Sequence, residues 1–170
     1  MDKIGLITIT YNSEKVIEPF LECVWKQTHN NLQLYVVDNA STDSTFSIIG
    51  KEEDPRLKVV KNESNFGVAK ANNQGIKRAI ADGCNQILII NNDVEFEEAL
   101  IEKLLKVQRE ENCSLVSPRM MFYDNKNLIW YAGSWFDKCK GYLPLHRGMK
   151  RIDKGQFNKI VKVEYAPTCC

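Results

Sequence analysis

The first 118 residues alternate strand-like and helix-like signals, and that alternation constrains the fold more than any other feature of the chain. Ile4–Thr10 is a short run rich in β-branched residues. Residues 13–27 then place Val16, Ile17, Phe20, Leu21 and Val24 on one helical face, with Pro19 setting the helix start about one turn before it. A second strand spans residues 32–37 and ends in Asp38. Ser41-Thr42-Asp43 opens a helix expected to reach about residue 52. Asp54-Pro55 is a turn, and Leu57–Lys61 is a third strand. Asn65-Phe66-Gly67 opens a helix through Ile80 that Asp82-Gly83 closes. Residues 86–90 form a fourth strand. Glu95-Phe96-Glu97-Glu98 starts a helix with Leu100, Ile101, Leu104, Leu105 and Val107 inward, its acidic first turn suiting the helix dipole. Residues 114–117 read as a fifth strand. Strands separated by helices require parallel βαβ crossovers, and near-continuous apolar strands require cover on both faces of the sheet. The predicted fold class is α/β.

After Pro118 the pattern changes, which suggests two parts, 1–118 and 119–170. Strand-like pieces are expected at 120–123, 128–131 and 160–165. The stretch 138–162 holds eight Lys/Arg against one Asp, whereas residues 1–137 hold fifteen basic and twenty acidic residues. The net charge of +1 therefore conceals two opposed halves, and gives a global nucleic-acid-binding role no support. We read 138–162 as facing an acidic membrane surface or a pyrophosphate-linked acceptor; the plainer reading is a solvated loop. A hydrophobic content of 44% and a charged content of 26% exclude disorder and coiled coil. No apolar run is long enough for a membrane span. The opening MDKIGLITITYN enters a strand directly and does not read as a signal peptide. The six cysteines are irregularly spaced apart from the pair Cys169-Cys170, with no C-x2-C, so reduced thiols are expected rather than a zinc site or disulfide framework. Cys23, Cys84 and Cys113 read as buried.

In open α/β sheets ligands bind beyond the carboxyl ends of the strands, and the polar residues gather there. Strand one ends in Thr10-Tyr11-Asn12, strand two in Asp38-Asn39-Ala40-Ser41-Thr42-Asp43, and strand four in Asn91-Asn92-Asp93. Asn62-Glu63-Ser64-Asn65-Phe66-Gly67 follows strand three. Together they describe a polar crevice. Asp38 is a ligand candidate or a loop brace. Thr42 and Asp43 read first as helix caps. Asn72 and Asn73 sit mid-helix, where Asn has poor propensity, so their amides are either used or merely exposed. Asp93 suits a divalent cation sharing phosphate oxygens, or alternatively a helix cap. The phosphate loops G-x-G-x-x-G and G-x-x-x-x-G-K-[ST] and the G-x-S-x-G elbow are absent. His29 reads as a surface or capping residue, and His146 has no partner predictable from sequence. Trp130, Tyr131 and Trp135 are either core or an acceptor surface.

The ordered strings TITYN, VVDNASTD, NFGVAKANNQGI and ILIINNDVEF resemble the family 2 glycosyltransferases with a GT-A fold, over essentially the whole chain. The later IWYAG, KGY, HRG and VKVEYAPTCC resemble the subgroup that decorates bacterial polysaccharides, such as rhamnosyl- and galactofuranosyltransferases. The resemblance implies a GT-A nucleotide-diphospho-sugar transferase fold, with a mostly parallel central sheet flanked by helices, 1–118 being the nucleotide-sugar-binding half and 119–170 the incomplete start of the acceptor-binding half. It implies that Thr10 and Tyr11 line the base pocket beside Asn12. Asp38, next to Asn39, would accept the N3–H of uracil or thymine and select a UDP- or dTDP-sugar. Asn65, Gly67, Asn72 and Asn73 would flank ribose and sugar, and Asn92 would belong to the nucleotide-sugar site. Asp93, in the place of a D-x-D-type motif, would hold Mg2+ or Mn2+ on the diphosphate, neutralising the leaving group.

Two departures stand out. Asn72 occupies a position where many relatives carry Arg, and Asn91 and Asn92 replace the first acids of the motif, so metal affinity is expected to be weak. The family's base lies in a Glu-Asp motif beyond the segment resembling VEYAPTCC, so the chain is expected to be truncated, with no catalytic base before Cys170. Neither Asp137 nor Asp153 stands in the matching context. The expected activity is inverting transfer from a UDP- or dTDP-sugar to a glycan or polyprenyl-linked acceptor, in the cytoplasm at the inner membrane face, with donor binding retained here. The alternatives are a non-catalytic nucleotide-binding or interaction module and a nucleotidyltransferase.

Overall fold

The computed structural model describes residues 2–167. The pair Cys169-Cys170 lies outside them. The chain divides into two compact units, one running to Lys103 and the other spanning Leu104–Pro167.

The first unit is built on a four-stranded parallel sheet in the order β3-β2-β1-β4, from β1 (Ile4–Thr10), β2 (Leu32–Asp38), β3 (Leu57–Lys61) and β4 (Gln86–Ile89). β1 and β2 are central and almost wholly buried, as their unbroken apolar runs require. Between the strands run α1 (Ile17–Trp25), α2 (Thr45–Ile49) and α3 (Val68–Ala81). Pro19 is the third residue of α1, inside the first turn, where its missing N–H breaks no bond. α2 is shorter than expected: Thr42 and Asp43 lie before it, bonded to Asn12 and to the Glu14 N–H in the loop after β1. α3 lies against β1 and β2 at close range. A Cβ on Gly75 would stand 2.5 Å from Ile7 Cγ2 and 3.4 Å from Val37 Cγ2, so only glycine allows this approach.

The helix α4 (Leu100–Glu110) begins later than its acidic run suggested. The Glu97 and Glu98 carbonyls accept from the Gln27 amide at 2.8 Å and the Thr28 N–H at 2.9 Å, and residues 95–98 lie outside the helix. His29 is not a surface residue, as its position in a turn had suggested. It is 2% exposed, with Nδ1 2.7 Å from Glu102 Oε1 and Nε2 3.0 Å from the Asp2 carbonyl. Cys84 is buried as expected, whereas Cys23 and Cys113 are only half-buried; all three are free thiols.

The second unit holds two antiparallel pairs, β5 (Met120–Met121) with β6 (Ile129–Tyr131), and β7 (Ser134–Asp137) with β8 (Leu143–His146). Residues 114–117 form no strand: Leu115 is exposed and Pro118 withholds a ladder donor. Residues 160–165 are likewise not a strand. The Tyr165 carbonyl accepts from the side-chain hydroxyls of Tyr131 and Ser134 in place of a ladder N–H.

Candidate functional site

The register of β1 on β2 sets Thr10 beside Asp38, and that of β2 on β3 sets Asp38 beside Lys61. Residues at three strand ends therefore meet at one edge of the sheet. Asp38 is fully buried there. Its Oδ1 accepts from Thr10 Oγ1 at 2.8 Å and from Ser41 Oγ at 2.5 Å, and its Oδ2 accepts from the Ser41 N–H at 3.1 Å. Oδ2 thus carries one bond and retains acceptor capacity for another N–H. Asp38 therefore braces its own loop.

A second layer fixes the neighbouring turns. Asn12, at φ +54°, accepts the Thr42 N–H at 2.9 Å through its side-chain oxygen, and donates its own N–H to Ser41 Oγ at 3.0 Å. Ser13 N–H donates to Thr45 Oγ1 at 2.7 Å. Asp43 accepts from the Thr45 and Glu14 amides at 3.0 and 3.1 Å. Partial desolvation pushes the Asp43 carboxyl up, but the hydrogen bonds from Thr45 and Glu14 outweigh it and hold the group below its ordinary value. Asp43 therefore ties the turn after β1 to the start of α2, and caps only in part.

Asn39 and Asn62 are buried side by side, and Asn62 Nδ2 donates to Asn39 Oδ1 at 2.8 Å. Asn62 and Gln74 exchange two amide hydrogen bonds, at 3.0 and 2.9 Å. This pairing positions the first turns of α3 against the end of β3. Asn65 Oδ1 accepts the Gly67 N–H at 2.9 Å, and Gly67, at φ +79°, turns the chain into α3. Asn73 is exposed on α3 and Asn72 half-buried, with no hydrogen-bonding partner for either amide among the described residues. Asn92 is buried, its amide donating to the Ile9 carbonyl and to Ser13 Oγ, both at 3.0 Å. The side chain therefore ties the end of β4 to the turn that carries Tyr11. Tyr11 itself is 52% exposed. Asp93 is exposed just beyond β4.

The edge thus combines a buried carboxylate, an exposed aromatic ring, exposed amides and exposed carboxylates, Asp93 among them. Among the described residues no group of three or more His, Cys, Asp or Glu forms a metal cage. A lone carboxylate fits Mg2+ or Mn2+ when phosphate oxygens and water complete the shell, so the residues suit a cation carried by a diphosphate. The Ser41 clamp and the Asn62–Gln74 pair were not among the sequence candidates. Ser41 stands three residues after Asp38, a spacing typical of side-chain–backbone turns. Gln74 lies next to the buried Ala71–Gly75 stripe, but nothing local pairs it with Asn62.

Of the other candidates, His146 packs edge-on against Trp130 and Tyr131, at 5.0 and 5.3 Å between ring centroids. Tyr131 is core, while Trp135 is 42% exposed.

The profile of glycosyl transferase family 2 matches residues 6–167. The glycosyltransferase GlyG of Streptococcus pneumoniae is 30% identical over 152 residues, covering 87% of this chain and 49% of GlyG. The Escherichia coli UDP-Glc:alpha-D-GlcNAc-diphosphoundecaprenol beta-1,3-glucosyltransferase WfaP is 34% identical over 79 residues, covering 46% of this chain and 32% of WfaP. The chain thus spans about half or less of the length of these relatives. Among solved structures, the mannosyltransferase PcManGT of Pyrobaculum calidifontis, in complex with GDP-Man and Mn2+, superposes with a TM-score of 0.58 at 26% identity. That match covers 62% of this chain and 32% of PcManGT, and the shared architecture is the GT-A fold.

Proposed function

The chain belongs to glycosyl transferase family 2, and on that premise we propose that its first unit binds the nucleoside diphosphate of a UDP- or dTDP-sugar. The sugar is destined for transfer, with inversion, to a glycan or polyprenyl-linked acceptor. The observation that carries the donor reading is the buried Asp38 carboxylate, clamped by Thr10 and Ser41 with acceptor capacity left on Oδ2. Uracil and thymine present an N3–H to such a group, where cytosine presents an N3 acceptor; guanine also presents N–H donors there, so its exclusion falls to the size of the base pocket. Tyr11 supplies a ring face for the base, and Asn12, Asn39 and Asn92 hold the turns around it. Asn65, Gly67, Asn72 and Asn73 flank the ribose and sugar. Asp93 holds Mg2+ or Mn2+ against the diphosphate, the cation offsetting charge on the leaving group. WfaP, whose name specifies a UDP-Glc donor and a lipid-linked acceptor, supports the donor and acceptor reading; PcManGT, in complex with GDP-Man and Mn2+, supports the cation and not the choice of base.

No carboxylate in the described residues is assigned as the base for the acceptor hydroxyl. Asp137 accepts the Cys139 N–H and pairs with Lys140, and Asp153 pairs with Arg119 at 3.1 Å. We therefore assign donor binding to this chain and expect little or no transfer by it alone. Robust metal-dependent turnover in a radiolabelled-sugar assay would overturn that. Among the described residues no helix is long and apolar enough to cross a membrane. The basic stretch 138–162 is proposed to contact an anionic membrane surface peripherally.

A nucleotide panel tests the donor reading. UDP and dTDP should raise the melting temperature while GDP and CDP leave it unchanged. Asp38→Ala should abolish the difference. Equal stabilisation by all four nucleotides would refute selection by Asp38.

A further inference from the structure

The hairpin of β7 and β8 has two unlike faces. Its register pairs Ser134 with His146 and Phe136 with Pro144 on one face, and Trp135 with Leu145 and Asp137 with Leu143 on the other. The first face is packed within the second unit. Ser134 is buried, the Phe136 ring lies 4.9 Å from that of Tyr165, and the His146 ring lies 5.3 Å from that of Tyr131. The second face is open, with Trp135 42% and Leu143 47% exposed.

The tip extends this open face. Residues 138–144 are all exposed. Tyr142 stands at φ +61° and is 63% exposed. That backbone region suits glycine or asparagine, and a bulky aromatic residue there is strained. The strain holds an aromatic ring in the open and not in a core. Lys138 and Lys140 precede it, both exposed. Asp137 is the acid of the tip; its side chain accepts the Cys139 N–H at 3.1 Å and lies 3.7 Å from Lys140 Nζ, so its charge is met within the turn. From Lys138 to Lys162 cations outnumber acids eight to one. Met149, Ile152 and Ile160 are exposed among them.

We infer that the tip of this hairpin enters the interface of an anionic lipid bilayer, with Tyr142 and Leu143 at the level of the headgroups and upper acyl carbons, and Lys138 and Lys140 on lipid phosphates. Charge selects the occupant. Apolar side chains set among cations fit a surface that is anionic outside and apolar just beneath. Tyrosine suits that boundary, because its ring is apolar and its hydroxyl polar. A residue kept exposed at a strained backbone position is a mark of use at a binding surface. The inference rests on the peripheral contact proposed for 138–162 and adds a named point of insertion to it.

Sedimentation of the intact chain with vesicles tests this, using phosphatidylcholine alone and phosphatidylcholine mixed with phosphatidylglycerol. The chain should bind the mixed vesicles and not the neutral ones. Tyr142→Ser combined with Leu143→Ser should weaken binding about tenfold, the weight of partly burying an apolar side chain. Lys138→Gln should weaken it about fivefold, the weight of one cation at such a surface. Tyr142→Gly separates insertion from folding. Glycine accepts φ +61° freely, so this variant should melt no lower than the parent and yet bind the mixed vesicles more weakly. A lower melting temperature would give the ring a structural role and overturn the inference. If the double variant and Tyr142→Gly bind as the parent does, and salt releases all three, the cations alone make the contact: insertion is lost and the peripheral contact stands. No binding of the intact chain to mixed vesicles removes both, and equal binding to neutral vesicles removes the role of charge. A change in the mass of the lipid-free chain on Tyr142→Gly, read by analytical ultracentrifugation, would assign the open face to a second copy and overturn the inference.

Discussion

His29 and Asp38 are both buried polar residues, and they do different things. His29 has an acceptor at each ring nitrogen, Glu102 on one side and the Asp2 carbonyl on the other, so it ties the start of α4 to the chain segment preceding β1. Removing it leaves a cavity and takes one partner each from the Glu102 carboxylate and the Asp2 carbonyl, the latter keeping its bond from Asn31 Nδ2. His29→Ala should therefore lower unfolding free energy by about 2–3 kcal/mol, read from urea denaturation, and leave UDP affinity unchanged. Loss of UDP binding at full stability would place His29 in the site and contradict this account. Asp38 accepts two bonds on one oxygen and one on the other, all from its own loop and the end of β1, and the proposed donor role rests on the acceptor capacity left on Oδ2. That residue was legible in the sequence because it ends an apolar strand and opens a polar turn. The Asn62–Gln74 exchange was not, because an amide pair twelve residues apart forms only when α3 docks.

At the scale of elements, the parallel strands were readable because each is an apolar run between turn residues. Where the reading failed, a tertiary bond had replaced a local preference. The acidic residues before α4 looked like a first helical turn, yet Gln27 and Thr28 take their carbonyls. The β7–β8 hairpin escaped notice because its connection uses positive φ at Gly141 and at Tyr142, the second being a residue that rarely adopts it. α3 on β1 is the contact on which the site depends most, since α3 carries Asn72, Asn73 and Gln74. Gly75→Ala would force a methyl to within 2.5 Å of Ile7 Cγ2. We expect a loss of about 1–3 kcal/mol by thermal or chemical unfolding, with weaker nucleotide binding as α3 shifts. Unchanged stability would mean that the helix can move away without cost.

For the whole molecule, three carboxyls link stability to acid. The Tyr35 hydroxyl bond holds Asp82 below its ordinary value of 3.8, Arg56 does the same for Asp54, and the Thr45 and Glu14 bonds do so for Asp43 against desolvation. A group lowered in the folded state contributes stability that is complete above its unfolded value and is lost as pH falls through the folded one. The urea midpoint should therefore be insensitive to these three groups between about pH 5 and 7 and decline below about pH 4. A midpoint that is flat down to about pH 2 would contradict the assignment. The opposed charges of the two parts, hidden in a net charge of +1, belong to this scale as well. An acidic unit that binds a nucleoside diphosphate needs a cation to offset like charge, whereas a basic segment can meet a phosphate directly. The central claim is donor binding, and calorimetric titration of the chain with UDP, with and without Mn2+, tests it most directly. The account predicts one saturable site that Mn2+ tightens and that Asp93→Ala returns to the metal-free affinity. No heat of binding for UDP in the presence of Mn2+, from a folded chain, would contradict it.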